Sequence, residues 1–111
     1  MSVARSARVP RESIKKIVKN GRRFRSGQVT VIFSENRQSF SRIAVIISSK
    51  AVKKSVLRNR LRRMAKEIFK KNAKVFNKNY DIIIMFYSGE PFKFADLEKV
   101  LSEVFRKAKV V

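Results

Sequence analysis

The sequence predicts one α/β domain, in which a mixed sheet of about four strands packs with three helices in the order α-β-β-(β)-α-β-α. Amphipathic segments with apolar residues at helical spacing alternate with shorter runs of β-branched and aromatic residues. The 111 residues are 44% hydrophobic and include nine Phe, which is enough apolar material for one modest core. Three Gly and two Pro are too few for a low-complexity or disordered chain. We therefore expect residues 1–111 to form a single domain, with 1–9 as a loose basic arm.

The first helix is predicted from about residue 10 to residue 20. Pro10 suits a first helical turn, Glu12 lies near the positive end of the helix dipole, and Gly21 marks the end of the helix. Its apolar face consists of Ile14, Ile17 and Val18, spaced i, i+3, i+4. Core packing is the simplest interpretation of this stripe.

Two β-branched runs follow, at residues 29–34 and 40–48. The polar residues 35–39 between them are few enough to join the two strands as an antiparallel hairpin. Residues 22–25, where three Arg surround Phe24, suit a brief edge strand. They suit contact with an RNA strand equally well, and the sequence leaves both interpretations open.

The last third of the chain contains one more strand and one more helix. The continuous apolar run at residues 80–86 suits an interior strand covered on both faces, and the order strand, helix, strand predicts parallel pairing across the helix. A turn is predicted at residues 88–91 and a final helix at about 94–107. The core stripe of that helix is Leu97, Val100, Leu101, Val104, Phe105 and Ala108.

Residues 50–72 are the most informative segment. A helix beginning at about Ser55 would bury Leu57, Leu61, Met64, Ala65 and Ile68 and leave a surface that is almost entirely cationic. Like charges at i, i+4 spacing destabilise an isolated helix by a few tenths of a kcal/mol per pair. Between residues 36 and 66 the chain has ten basic residues and no acidic one, whereas a solvated helix normally mixes both signs. This face is therefore predicted to bind an anion.

The charge balance of the whole chain points the same way. Twenty-eight Lys and Arg against eight Asp and Glu give a net charge of +20, which favours nucleic acid as the partner and an anionic membrane surface second. The absence of His and Cys excludes disulfides, thiol or imidazole catalysis and nearly every zinc site. No apolar run is long enough to span a membrane and no signal peptide is evident, so we expect a cytoplasmic protein.

The segment Lys50-x-x-x-x-Ser55-Val56-x-Arg58-Asn59-Arg60-x-Arg62-Arg63 resembles the signature of the bacterial ribonuclease P protein component. The similarity in element order extends over most of the chain. It implies a two-layer sandwich with a left-handed β-α-β crossover, against the usual handedness. It also implies a subunit of a ribonucleoprotein endonuclease that removes the leader from precursor tRNA. The catalyst would be the RNA subunit with Mg²⁺, and no side chain of this chain would be catalytic.

The same resemblance implies two sets of site residues. The residues that would bind the catalytic RNA are Lys50, Lys53, Lys54, Arg58, Asn59, Arg60, Arg62, Arg63 and Lys66. A cleft for the single-stranded leader would include Ile14, Val18 and Ile32. The family usually has aromatic residues at the positions of Ile14 and Val18, an Arg at the position of Lys66, and a common Gly at that of Lys53.

Three alternatives remain at this point. A small basic ribosomal or ribosome-assembly protein would have the same size and charge, and the motif is what disfavours it. A nuclease acting alone would need acids or bases that the chain lacks, since its eight carboxylates are scattered. A membrane-active peptide is disfavoured by the β-rich middle of the chain.

Overall fold

The helices and strands follow one another in nearly the predicted order. A computed structural model describes residues 8–87 and 93–111, so the turn predicted at 88–91 and most of the basic arm lie outside the described residues. The elements are α1 (Arg11–Asn20), β1 (Arg22–Ser26), β2 (Val29–Glu35), β3 (Arg42–Ile47), α2 (Ser55–Ala73), β4 (Tyr80–Phe86) and α3 (Phe94–Lys107). None of the helices in the described part of the chain is long and apolar enough to cross a membrane.

The four strands form one mixed sheet in the order β1-β2-β4-β3. β4 pairs in parallel with β3 and antiparallel with β2, which confirms the parallel pairing across α2 and the interior position of residues 80–86. The predicted hairpin between β2 and β3 is wrong, because β4 lies between them. β4 is buried along nearly its whole length, and the middle of the sheet is where both of its faces are covered. The handedness of the crossover stays a prediction.

Alternating side chains of the strands supply two separate apolar clusters. The larger cluster lies under α2 and α3 and includes Val31, Phe33, Ile82 and Ile84 of the central strands. The smaller cluster lies on the opposite face under α1 and includes Ile17, Ile32 and Ile83 with Val9. The sheet and the α2–α3 layer thus form the sandwich, while α1 packs on the other face.

The end of the predicted basic arm is part of the fold. Arg8 forms a parallel bridge with Ile43, and the amide of Val9 donates to the carbonyl oxygen of Ile43 at 3.1 Å. Val9 is buried. The expectation of a loose arm over residues 1–9 is therefore wrong for Arg8 and Val9, because an apolar side chain at residue 9 completes the cluster under α1.

Gly21 fixes how closely α1 approaches the sheet. The helix ends there with φ −73°, so positive φ is not the reason for a glycine. A Cβ at this position would lie 2.6 Å from Ile32 Cγ2, 2.7 Å from the carbonyl oxygen of Ile17 and 2.9 Å from that of Phe33. Only a residue without a side chain lets the chain turn directly from α1 into β1.

We expect Gly21→Ala to lower the free energy of unfolding by about 1–3 kcal/mol, because two of the three clashing atoms belong to the backbone and must move. Urea denaturation measures the change. Asn20→Ala, at the exposed neighbouring position, should stay within about 0.5 kcal/mol of the wild type. Equal stability of both variants would show that α1 does not need this close approach.

Candidate nucleic-acid interface

The loop between β3 and α2 is held in a fixed shape that exposes its lysines. The carbonyl oxygen of Ser48 accepts hydrogen bonds from the amides of Ala51 and Val52 at 3.1 and 2.9 Å. Val52 is only 1% exposed and anchors the loop in the larger core cluster. Lys50, Lys53 and Lys54 are exposed around this anchor. Lys53 has no positive φ, so the backbone at this position does not require a glycine.

Arg58 faces back toward this loop. Its Nη1 donates to the carbonyl oxygens of Val52 at 2.8 Å and Lys53 at 3.0 Å, and the side chain is half-buried. The arginine therefore holds the loop against the first turn of α2 while its charge stays at the surface. The sequence predicts Arg58 only as a phosphate contact. It does not reveal the role in holding the loop, because every residue has a backbone carbonyl and only the fold shows which ones Arg58 reaches.

The outward face of α2 carries the rest of the predicted set. Asn59, Arg60 and Arg63 are exposed, whereas Arg62 and Lys66 are half-buried along the side of the helix that faces β3. Arg58, Arg62 and Lys66 align at i, i+4, i+8, and Arg60 lies about 200° around the helix from Arg58. The structure thus places all nine predicted residues on α2 and its preceding loop, but around more than one side of the helix.

Three cations surround a surface pocket of about 210 Å³ beside β3. Arg8, Arg62 and Lys66 line it together with Val9, Ile43, Ala44 and Val45. Partial burial lowers the pKa of Lys66, and the charges of Arg8 and Arg62 lower it further. The free protein therefore holds these charges against their mutual repulsion, which a bound anion would relieve. Arg8 was missed as a site residue because it was assigned to the loose arm.

The predicted leader cleft is only partly open to solvent. Ile14 and Val18 of α1 are half-buried, and they pack against the same apolar cluster as Ile46 and Met85 of the sheet. Ile32 is 0% exposed, so the inclusion of Ile32 as a leader-contacting residue is wrong: α1 covers it completely. The accessible surface lies beside α1, where apolar side chains of the sheet remain half-exposed.

A buried ion pair neutralises the acid on this face of the sheet. Asp81 accepts hydrogen bonds from Arg42 Nε and Nη2, each at 2.7 Å, and from Asn36 Nδ2 at 2.8 Å. The hydrogen bond from Arg42 to Asp81 raises the pKa of the guanidinium, against the opposing effect of burial. The pair joins β3, β4 and the connection after β2. It leaves no unpaired negative charge at Asp81 to repel RNA.

The described residues offer no cluster of three acidic, histidine or cysteine side chains that could hold a metal ion. The site's chemistry is that of a polyanion-binding surface, made of arginines, lysines and one asparagine.

This fold and this surface are those of an α/β RNA-binding protein in which many of the cations lie on one helix and the loop before it. The Ribonuclease P family model matches residues 5–109. The ribonuclease P protein component of Fusobacterium nucleatum is 33% identical over 96 residues, which cover 82% of this chain and 86% of the relative. The chain belongs to the family of bacterial ribonuclease P protein components, the protein subunits of an endoribonuclease whose known function is maturation of the tRNA 5′ end.

Solved structures agree with this assignment. The ribonuclease P protein of Staphylococcus aureus superimposes with a TM-score of 0.81 at 25% identity, covering 94% of this chain and 96% of that one. The Thermotoga maritima protein gives a TM-score of 0.79 at 25% identity, covering 90% and 96%. The predicted fold class and the predicted family are both confirmed.

Arg58→Ala and Arg60→Ala should separate the two roles of the motif. Loss of the Arg58 hydrogen bonds should lower the free energy of unfolding by about 1 kcal/mol and weaken RNA binding through a looser loop. Arg60→Ala should leave stability unchanged and reduce the slope of log affinity against log salt by about 1. Thermal denaturation and filter binding at several salt concentrations measure both effects. Equal free energies of unfolding for the two variants would show that Arg58 does not hold the loop.

Lys66→Met should weaken binding to ribonuclease P RNA without destabilising the free protein. The substitution removes one phosphate-binding charge but also the repulsion from Arg8 and Arg62. We expect the free energy of unfolding to rise or to stay within about 0.5 kcal/mol, and the salt slope to fall by about 1. Urea denaturation and RNA binding check the two parts. Unchanged RNA affinity and salt slope would place Lys66 outside the interface.

Proposed function

We propose that this protein binds the ribonuclease P RNA through α2 and its preceding loop, and binds the single-stranded leader of precursor tRNA along the sheet beside α1. It would thereby assist removal of the leader in the cytoplasm. The observation that carries the proposal is the concentration of exposed cations on α2 and the ordered loop, with no acidic residue between residues 36 and 66.

The α2 surface suits the recognition of a folded RNA by its shape and charge, without reading of its base sequence. Arginine guanidiniums match the geometry of phosphates, and backbone phosphates receive most of the hydrogen bonds that proteins make to nucleic acids. The major groove of an RNA helix is deep and narrow, so side chains of α2 could not reach the base edges inside it. The expected contacts are therefore phosphates held in the positions of a particular RNA fold.

The strip beside α1 suits an unpaired strand. Ile14, Val18, Ile46 and Met85 offer half-buried apolar surface, which an unpaired base can cover. The aliphatic Ile14 and Val18 would contact bases by burial, with less stacking than aromatic rings provide. Leader binding by α1 alone should accordingly be modest.

Magnesium belongs with the RNA in this proposal. The described residues contain no metal-binding cluster, and the cationic α2 surface would repel a free cation. The protein's contribution would be to screen phosphate repulsion between the catalytic RNA and its substrate, which lowers the magnesium concentration that the complex needs.

Cleavage of precursor tRNA by the organism's own ribonuclease P RNA at low Mg²⁺, with and without this protein, tests the proposal. We expect cleavage at the mature 5′ end only when protein and RNA are both present. The protein alone should cleave nothing. A folded protein that gives no stimulation with its cognate RNA would contradict the proposal, and tighter binding to ribosomal RNA would then support the assembly-protein alternative.

A further inference from the structure

An exposed tyrosine stands at the end of β4 with an arginine against its ring. Tyr87 follows the last residue of β4 and remains 43% exposed. The guanidinium carbon of Arg25 lies 5.4 Å from the centroid of the Tyr87 ring. Arg25 Nε also donates to the carbonyl oxygen of Gly27 at 3.3 Å, which orients the guanidinium. Among the described aromatic residues, Phe40 is the other exposed one.

Both side chains lie on the face of the sheet that α1 partly covers. Their neighbours Phe24 and Phe86 belong to the cluster under α2 and α3, so the alternation of a strand directs Arg25 and Tyr87 to the opposite face. On this face, Arg25 is in register with Thr30 of β2 and, through it, with Met85 of β4. Tyr87 is therefore the next position beyond the half-exposed apolar strip that includes Met85.

The carboxyl ends of β1, β3 and β4 lie at the same end of the sheet, because β1 and β4 both run antiparallel to β2 while β3 runs parallel to β4. The loop that carries Lys50, Lys53 and Lys54 leaves β3 at this end. From β3 to β1 the sheet is three strand spacings wide, or about 14 Å. An RNA strand lying across this end would contact the loop lysines, Tyr87 and Arg25 in turn.

The charges at this end are complementary to RNA. None of the described residues that lie beside Tyr87 or Arg25 across the strands is acidic. Asp81 lies at the other end of the sheet, paired with Arg42. Tyrosine provides a flat π face, and the neighbouring guanidinium provides a cation for the phosphate that follows a stacked base.

We propose that Tyr87 and Arg25 form a stacking subsite for one unpaired nucleotide of the RNA leader, at the end of the strip beside α1. The inference rests on the leader binding proposed above and adds a nucleotide position to it. Stacking on a ring tolerates every base, so the subsite adds affinity without a strict sequence preference. It supplies the aromatic contact that the aliphatic Ile14 and Val18 cannot.

The test measures affinity of the reconstituted ribonucleoprotein for precursor tRNA with a non-cleavable bond at the processing site, and for mature tRNA without a leader. Four proteins are compared: wild type, Tyr87→Ala, Tyr87→Phe and Phe40→Ala. Phe40 is a matched control, because it is also an exposed aromatic residue but precedes β3 at the opposite end of the sheet. A second series of precursors carries one abasic site each, placed in turn along the leader.

Tyr87→Ala should lose about 5- to 150-fold in affinity for the leader-bearing RNA and nothing for mature tRNA, the range that one stacked base represents. Tyr87→Phe and Phe40→Ala should bind like the wild type. One abasic position should weaken the wild type by a similar factor and should cost Tyr87→Ala nothing further.

Wild-type affinity of Tyr87→Ala for the precursor would overturn the subsite while leaving the proposed function intact. An equal loss for precursor and mature tRNA would also overturn it, because that pattern indicates a structural role. If the wild-type protein itself adds no affinity for the leader over the RNA subunit alone, leader binding by this chain fails, and the subsite fails with it.

Discussion

Burial of the apolar side of α2 against the sheet is the interaction on which the rest of the molecule depends. Leu61, Ala65 and Ile68 are fully buried, and this contact holds in place a helix whose exposed residues repel one another. A helix with so many like charges would be marginal in isolation, because most helix stability in proteins comes from packing of the apolar face. Partial burial, with the charges of Arg8 and Arg62, lowers the pKa of Lys66. The core thus maintains a surface that is unfavourable alone and favourable against phosphates.

The central position of β4 connects the two parts of the proposed function. Its parallel pairing with β3 sends α2 across the sandwich face, while its other face forms the floor under α1. Tyr87 directly follows this strand, at the end of the sheet where the loop with the lysines leaves β3. One strand therefore fixes the spacing between the surface proposed to bind folded RNA and the strip proposed to bind an unpaired strand. Asp81, held by Arg42 and Asn36, secures the opposite end of this arrangement.

Much of the fold followed from local patterns in the sequence. The bounds of β4, the start of α2 and both bounds of α3 agree with the predictions because each segment has strong periodicity or strong end signals. The pairing of the strands is harder to predict than their bounds. The short polar connection favours a β2–β3 hairpin, but β4, which is apolar on both faces, lies between these two strands. Ile32 enters the cleft only through the family resemblance, which carries no information on burial, and packing leaves it 0% exposed in the cluster under α1. The hydrogen bonds from Arg58 to loop carbonyls, the bridge from Arg8 to Ile43 and the Arg25–Tyr87 pair are long-range or backbone contacts that no spacing rule detects.

Lysine acetylation of the protein, free and bound to its ribonuclease P RNA, tests the central claim that the basic surface of α2 and its loop is the RNA interface. All the lysines concerned are on the described part of the chain, and mass spectrometry resolves each one. We expect strong protection of Lys50, Lys53, Lys54 and Lys66 in the complex, with Lys99 and Lys107 of α3 modified as in the free protein. Protection of the α3 lysines with continued modification of Lys53 and Lys54 would contradict it and place the RNA on the other helix.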